Sequence, residues 1–399
     1  MPASDGTERV DRGAGRDGAR VGGRDGNGAN EGGASLGSED LRAAVSAGLL
    51  SEAQAAGLII LAERRAGYRD RMGPDDEPFE LFRGLNEIFV ATGLVLLILG
   101  GTTLAWGVGA PLAPALAGLG ISWALAEYFT RVRRMILPSL VLAVSVVLFA
   151  TTGAVSALIG ELGAADAVTA TRAPITQVSG IGALAALLFF ARFRLPFALF
   201  LAGLLAIPPV FVGTGAIGGL VDFAQLLEDP TRAFDLAGAG RLALTTLGFG
   251  LACLTIALAF DMSDPHRVSR RHRCGFWLHL LAAPAIVNTL ALTLWQAGTP
   301  AALTALTAII VLVVLVALVI DRRSFLLSAA AYIGLLLGAA ADRSAIGVGP
   351  AATFLLLGAA ITLLGAAWTG ARARLMRALP EFPGKAYLPP YARQFSETP

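Results

Sequence analysis

From Asn86 onward the chain is a succession of long apolar runs separated by short polar or charged turns. A helix needs about 20 mostly apolar residues to cross a hydrocarbon core about 30 Å thick, so each run of that order predicts a membrane span. Ten are predicted, at residues 86–107, 111–130, 136–157, 176–191, 196–213, 240–260, 276–296, 301–320, 325–341 and 350–369. The fourth and ninth, 176–191 and 325–341, are short for a full crossing and are equally read as re-entrant or tightly tilted elements.

The pattern is different ahead of the first span. Residues 1–37 interleave Gly, Asp and Arg with almost no large apolar side chains, which predicts a disordered tail. Residues 38–83 predict a cytoplasmic helical hairpin and linker. Ser38 caps a helix through about Ala47, Gly48 suits its stop, and Ser51 with Gln54 forms a capping box for a second helix. Ala53, Ala56 and Ile60 then fall on one stripe of that second helix. A DNA-reading helix-turn-helix would need a basic recognition face, which is missing, so no nucleic-acid partner is expected. Residues 84–370 form the predicted transmembrane domain, and 371–399 a cytoplasmic tail containing Pro and Arg.

Composition supports the same fold class. Hydrophobic residues make up 55% of 399 positions and charged residues 15%, too apolar a balance for a water-soluble domain. The expectation is an all-α, polytopic integral membrane protein with about ten transmembrane helices. A net charge of +2 points to no nucleic-acid field, and two cysteines are too few for a disulfide framework. The first residues hold no signal-peptide pattern, so the first apolar helix is expected to do the targeting.

Charge placement gives the orientation, because short loops rich in Lys and Arg stay in the cytoplasm. Alternate loops carry Arg131, Arg133 and Arg134, then Arg192 and Arg194, then Arg267, Arg270, Arg271 and Arg273, then Arg322 and Arg323, and finally Arg372, Arg374 and Arg377. The intervening loops carry Glu161, Asp166, Asp222, Glu228, Asp229 and Asp235, with scattered arginines. An even span count with both termini in the cytoplasm follows. The bilayer is the expected partner, with anionic lipid headgroups at the arginine turns; the sequence leaves a homo-oligomer or a soluble partner open. Trp106 and Trp295 sit at outer ends and Trp277 and Trp368 at inner ends, where amphipathic rings prefer the headgroup layer; Trp123 lies nearer mid-span. The turns RVRRMILP, RFRLP and DRRSF resemble one another and suggest repeated helical hairpins.

Chemistry is sparse. Glu87, Glu127 and Asp261 fall near inner span ends and read as interface acids paired with neighbouring arginines rather than a proton relay. Asn288 is the most central strong polar side chain. With Thr289 and the helix-bending Pro284 it forms a candidate intramembrane polar site that reads first as interhelical glue. Pro208 and Pro209 followed by Gly213 and Gly215 predict that span five ends or breaks near its outer end, and the string GTGAIG lacks the βαβ setting of a nucleotide loop. His266, His272, Cys274, His279 and Asp264 are of zinc-binding types but in no compact ligand spacing, so no metal is expected. GLLLG at 334–338 would allow close helix contact. HExxH does not occur, and no catalytic or cofactor-binding residue is nominated.

Three stretches, AGLLSEAQAAGLI (47–59), GLNEIFVATGLVLLILGG (84–101) and LGAAWTGARARLMRALPEFPGKAYLPP (364–390), together resemble a family of bacterial multi-spanning membrane proteins of unknown function. The resemblance implies location and topology and transfers no site residue. The expected function is a non-enzymatic plasma-membrane protein. The alternatives are a permease for a small or lipid-like solute and a membrane-embedded transferase acting on lipid-linked substrates with the outer acids.

Overall fold

The computed structural model describes residues 38–65, 84–107, 112–163, 173–265, 267, 270–326, 330, 333, 349–389 and 391. The expected tail 1–37, the GLLLG string, Asp166, His266 and most of span 325–341 lie outside them. Every described element is helical.

The hairpin forms as its capping signals require. Helix α1 (Ser38–Ser46) ends before Gly48, which takes a left-handed φ of 71°, and α2 (Glu52–Arg65) follows. The capping box closes in both directions: Gln54 N–H donates to Ser51 Oγ at 3.2 Å, and Ser51 N–H to Gln54 Oε1 at 2.9 Å. Ala55, rather than the expected Ala53 and Ala56, is the fully buried residue.

The apolar domain runs α3 (Leu85–Gly107), α4 (Leu112–Ala126) extended by a π turn (Glu127–Val132), α5 (Ile136–Leu162), α6 (Ala173–Phe193) and α7 (Phe197–Gly213). A short helix α8 (Leu220–Glu228) and a 3-10 turn (Pro230–Phe234) lead into α9 (Gly240–Met262), α10 (Arg271–Ala297) and α11 (Pro300–Ile320). The described chain closes with α12 (Gly349–Ala366) and α13 (Trp368–Ala378). Among the described residues seven helices are long and apolar enough to cross a membrane: α3, α4 with its π turn, α5, α6, α9, α10 and α11.

Several boundaries differ from the sequence reading. Span four is a full-length helix of 21 residues, because Pro174 starts it within the first turn, where a missing N–H costs nothing. Pro208 and Pro209 lie inside α7, which continues to Gly213 before ending. The turn that follows then re-forms the amphipathic α8, which the glycine run concealed.

Two cores hold the bundle. The first joins α3 to α7 through Leu94, Leu142, Val146, Phe189 and Phe193, with Trp123 edge-on to Phe189 at 6.1 Å. Trp123 is thus a packing ring, which accounts for its mid-span place. The second joins α10, α11 and α13 through Val287, Leu306, Ile310, Phe325 and Trp368. Between them α9 and α10 approach so closely that a Cβ on Gly250 would stand 2.8 Å from that of Ala285. Leu96, Leu97 and Leu104 of α3, and Val311 and Leu312 of α11, are all more than half exposed, an outward apolar face that water does not favour.

The helix ends sort into two faces. On the arginine-rich face the chain reverses through non-glycine residues in the left-handed region, Arg134, Arg194, Arg267 and Asp321, with φ between 52° and 57°. On the opposite face the reversals use Gly163, Gly215 and Gly298. The three resembling turns therefore share a backbone conformation as well as a sequence pattern.

Candidate functional site

The densest polar chemistry lies where α9, α10, α11 and α13 meet the arginine-rich face. Asp261 stands in the last turn of α9 and is 6% exposed. Arg322, just past α11, grips it with both prongs: Nε donates to Oδ2 at 3.0 Å and Nη2 bonds Oδ1. His279 of α10, fully buried, meets Oδ2 through Nε2 at 2.8 Å and turns its ring edge toward Phe325. Arg322 also donates to the His272 carbonyl at 3.0 Å, which ties the start of α10 to the end of α11.

A glycine makes room for this pairing. A Cβ on Gly275 would lie 2.3 Å from Asp261 Oδ1, so only a residue without a side chain fits opposite the carboxylate.

Asp321, the left-handed C-cap of α11, organises a second cluster beside the first. Arg267 Nη2 donates to its Oδ2 at 2.8 Å and to its carbonyl at 3.1 Å; Trp368 Nε1 donates to its Oδ1 at 2.7 Å. Arg372 Nε lies 3.8 Å from the same carboxylate and donates to the Leu318 carbonyl at 3.1 Å. Burial alone would push the Asp321 pKa up. The Arg267 and Arg372 charges, the Trp368 N–H and the nearby Arg322 outweigh it and hold the carboxyl below the usual range.

The segment after α12 packs against this cluster. Arg372 also donates to the Pro389 carbonyl, and Lys385, 6% exposed, donates to the Leu379 carbonyl at 2.9 Å and pairs with Glu381 at 3.1 Å. Trp368 is correspondingly buried, not placed as a headgroup-layer ring.

The residues nominated from the sequence fall elsewhere. Glu87 is buried, and its Oε2 accepts from the backbone N–H groups of Ile136 and Leu137 at 3.1 and 3.2 Å. It therefore caps α5 rather than pairing with an arginine, which suits an acid at a helix N-terminus. Glu127 does pair as expected, with Arg131 at 2.9 Å and Arg192 at 2.8 Å. Thr289 is buried and bonds back to the Ala285 carbonyl at 2.6 Å, one turn past Pro284. Asn288 is half-buried on the face of α10 opposite His279, and no hydrogen bond to its amide occurs among the described residues. The two do not converge.

Of the zinc-type residues, His279 faces Asp261, His272 Nδ1 lies 3.8 Å from Asp264, and Cys274 is a buried free thiol. Among the described residues no three His, Cys, Asp or Glu side chains are placed to hold a metal. On the opposite face Asp229 accepts from Thr231 N–H at 3.2 Å and Asp235 from Ala237 and Gly238 N–H at 2.9 and 3.0 Å; these acids order turns.

Sequence reasoning read Asp261 as an arginine-paired acid, which Arg322 bears out, but missed the buried assembly with His279 and the neighbouring Asp321 cluster. The available signal was His279 inside an apolar run, since an ionisable group there needs a partner, and Asp261 closes the preceding helix. No family model, no curated protein and no solved structure matches this chain.

Proposed function

We propose that this chain is a ten-span integral protein of a bacterial inner membrane with both termini in the cytoplasm. It works without catalysis, as a helical bundle whose cytoplasmic end is a prebuilt, ion-paired plate facing anionic headgroups. The carrying observation is that Asp261 and Asp321 are already matched by Arg322, His279, Arg267, Arg372 and Trp368. A catalytic or relay carboxylate needs an open side for substrate or water, and these have theirs closed by protein. The outward leucines of α3 and α11 suit acyl chains.

Reporter fusions test the topology. Fusions at Arg134 and at Arg267 are expected on the cytoplasmic side, and finding them on opposite sides would sink the reading. Liposomes containing the purified protein are expected to take up no solute. Uptake that Asn288→Ala or Asp261→Asn abolishes in a folded protein would replace this reading with a carrier.

One observation favours that second reading, a permease: His279 and Asp261 are ionisable groups inside membrane-length helices, where such residues mark transport paths. A carrier would have to open the seam where Leu281 Cδ1 lies 2.5 Å from the Cβ position of Gly203 and where Trp277 meets Phe197 at 4.9 Å.

A further inference from the structure

We infer that the groove between α4 and α6 is a binding site for a single anionic phospholipid, its phosphate held at the π turn and one acyl chain lying across Gly120. The inference rests on the membrane reading above and names a specific ligand for one part of the arginine-rich face.

Two open depressions follow one another along α4. The outer one, about 420 Å³, is almost wholly apolar: Leu116, Gly120 and Trp123 of α4 face Ala185 and Leu188 of α6 across Val146. Its floor has space, because a Cβ built on Gly120 meets nothing within 4 Å. The inner one, about 550 Å³, is lined by Ala124, Glu127, Tyr128, Arg131 and Val132 and mixes polar with apolar surface. One turn beyond Trp123 comes Glu127, and one turn beyond Leu188 comes Arg192; these two are bonded at 2.8 Å. The apolar groove therefore runs directly into a charged end, the order of parts that a phospholipid has.

The charged end has the sign and the free donors for a phosphate. Glu127 takes Nη1 of Arg131 and Nε and Nη2 of Arg192, which fixes both guanidinium groups while leaving other N–H donors on each. Arg133, Arg134 and Arg194, in the adjoining stretches of the same two turns, are exposed, and no side-chain hydrogen bond or ion pair joins them to a described residue. Two arginines thus grip one carboxylate, and three more lie in the same two turns. The π turn presents Arg131 and Arg133: Arg133 N–H reaches back to the Tyr128 carbonyl at 2.9 Å, and such turns interrupt helices mostly at working positions. Arg134 then turns the chain sharply through its left-handed φ of 52°.

The test is native mass spectrometry of the full chain released from detergent after incubation with phosphatidylglycerol, phosphatidylcholine or inorganic phosphate. Retention of one phosphatidylglycerol, about fivefold over phosphatidylcholine, is expected, since each arginine near a headgroup contributes about that factor. Inorganic phosphate alone is expected to leave no adduct. Gly120→Leu fills the groove without touching the charges, and Arg192→Gln removes a charge without touching the groove; each is expected to cut retention about fivefold or more. Gly120→Leu should also melt as the unaltered protein does in lipid-free detergent. Equal retention of phosphatidylcholine, full retention in Gly120→Leu, or a phosphate adduct without lipid would each overturn the site. So would a dimer of the chain that Gly120→Leu disperses, since a second copy would then be the occupant. None of these results moves the fusion topology, so failure of this site and failure of the membrane reading are distinguishable.

Discussion

The two halves of the arginine-rich face handle the same residue types in opposite ways. Where α4 and α6 end, Glu127 meets Arg131 and Arg192 with side chains one-third to one-half exposed. Where α9 and α11 end, Asp261 meets Arg322 with both side chains at 6% exposure or less. The first arrangement exchanges protein partners for water or headgroups at little cost. The second cannot, because a buried charge that loses its partner has no solvent to replace it. The comparison teaches that an arginine turn is read by its surroundings: one half presents charge, the other seals it.

The largest expected effect breaks the sealed half. Asp261→Asn leaves Arg322 buried without its counter-charge and should destabilise the protein by about 3–5 kcal/mol, measured as unfolding in detergent. A loss of under about 1 kcal/mol would mean that water reaches the pair and that the two halves are alike.

Gly275→Ala comes next. Its methyl group would press on Asp261 Oδ1 and should cost about 1–3 kcal/mol. The matching change in the open half, Gly120→Ala, meets no atom and should be neutral or stabilising by up to about 1 kcal/mol through helix propensity. Equal effects at the two glycines would erase the contrast.

Acid sharpens it further. Because the folded-state pKa of Asp321 is depressed, its contribution is complete above the unfolded carboxyl value near about 4 and is lost as pH falls through the lower folded value. Unfolding followed from pH 6 downward should show this loss in the unaltered chain, and Asp321→Asn should lack that part of the acid limb. The smallest effect is expected for Glu127→Gln, about 1 kcal/mol or less and diminished by salt, as for exposed pairs.

Local signals were legible in the sequence and distant ones were not. The capping box of Ser51 and Gln54, the stop at Gly48 and the membrane-length runs all depend on neighbours within a turn or on length alone, so they can be read directly. Glu87 was recognisable as an inner-end acid, yet its partners are backbone groups 49 and 50 residues away, and no spacing rule names them. Arg322 reaches Asp261 across 61 residues, and His279 reaches the same carboxylate across 18. These partners become neighbours only through the packing of α9, α10 and α11. Pro208 and Pro209 stay within α7, since neighbouring helices can support a helix through such positions, and the helix ends at Gly213, where the sequence placed its outer end.

The left-handed turns tie biogenesis to final shape. In the proposed topology Arg134, Arg194 and Arg267 carry both the charge that anchors a loop during insertion and a backbone twist that a residue with a Cβ adopts only under strain. Exchanging any of them for glycine would ease the bend and erase the anchoring signal in one stroke, whereas lysine would preserve both. Asparagine, at home in the left-handed region yet neutral, would separate the two, keeping the corner while removing the anchor.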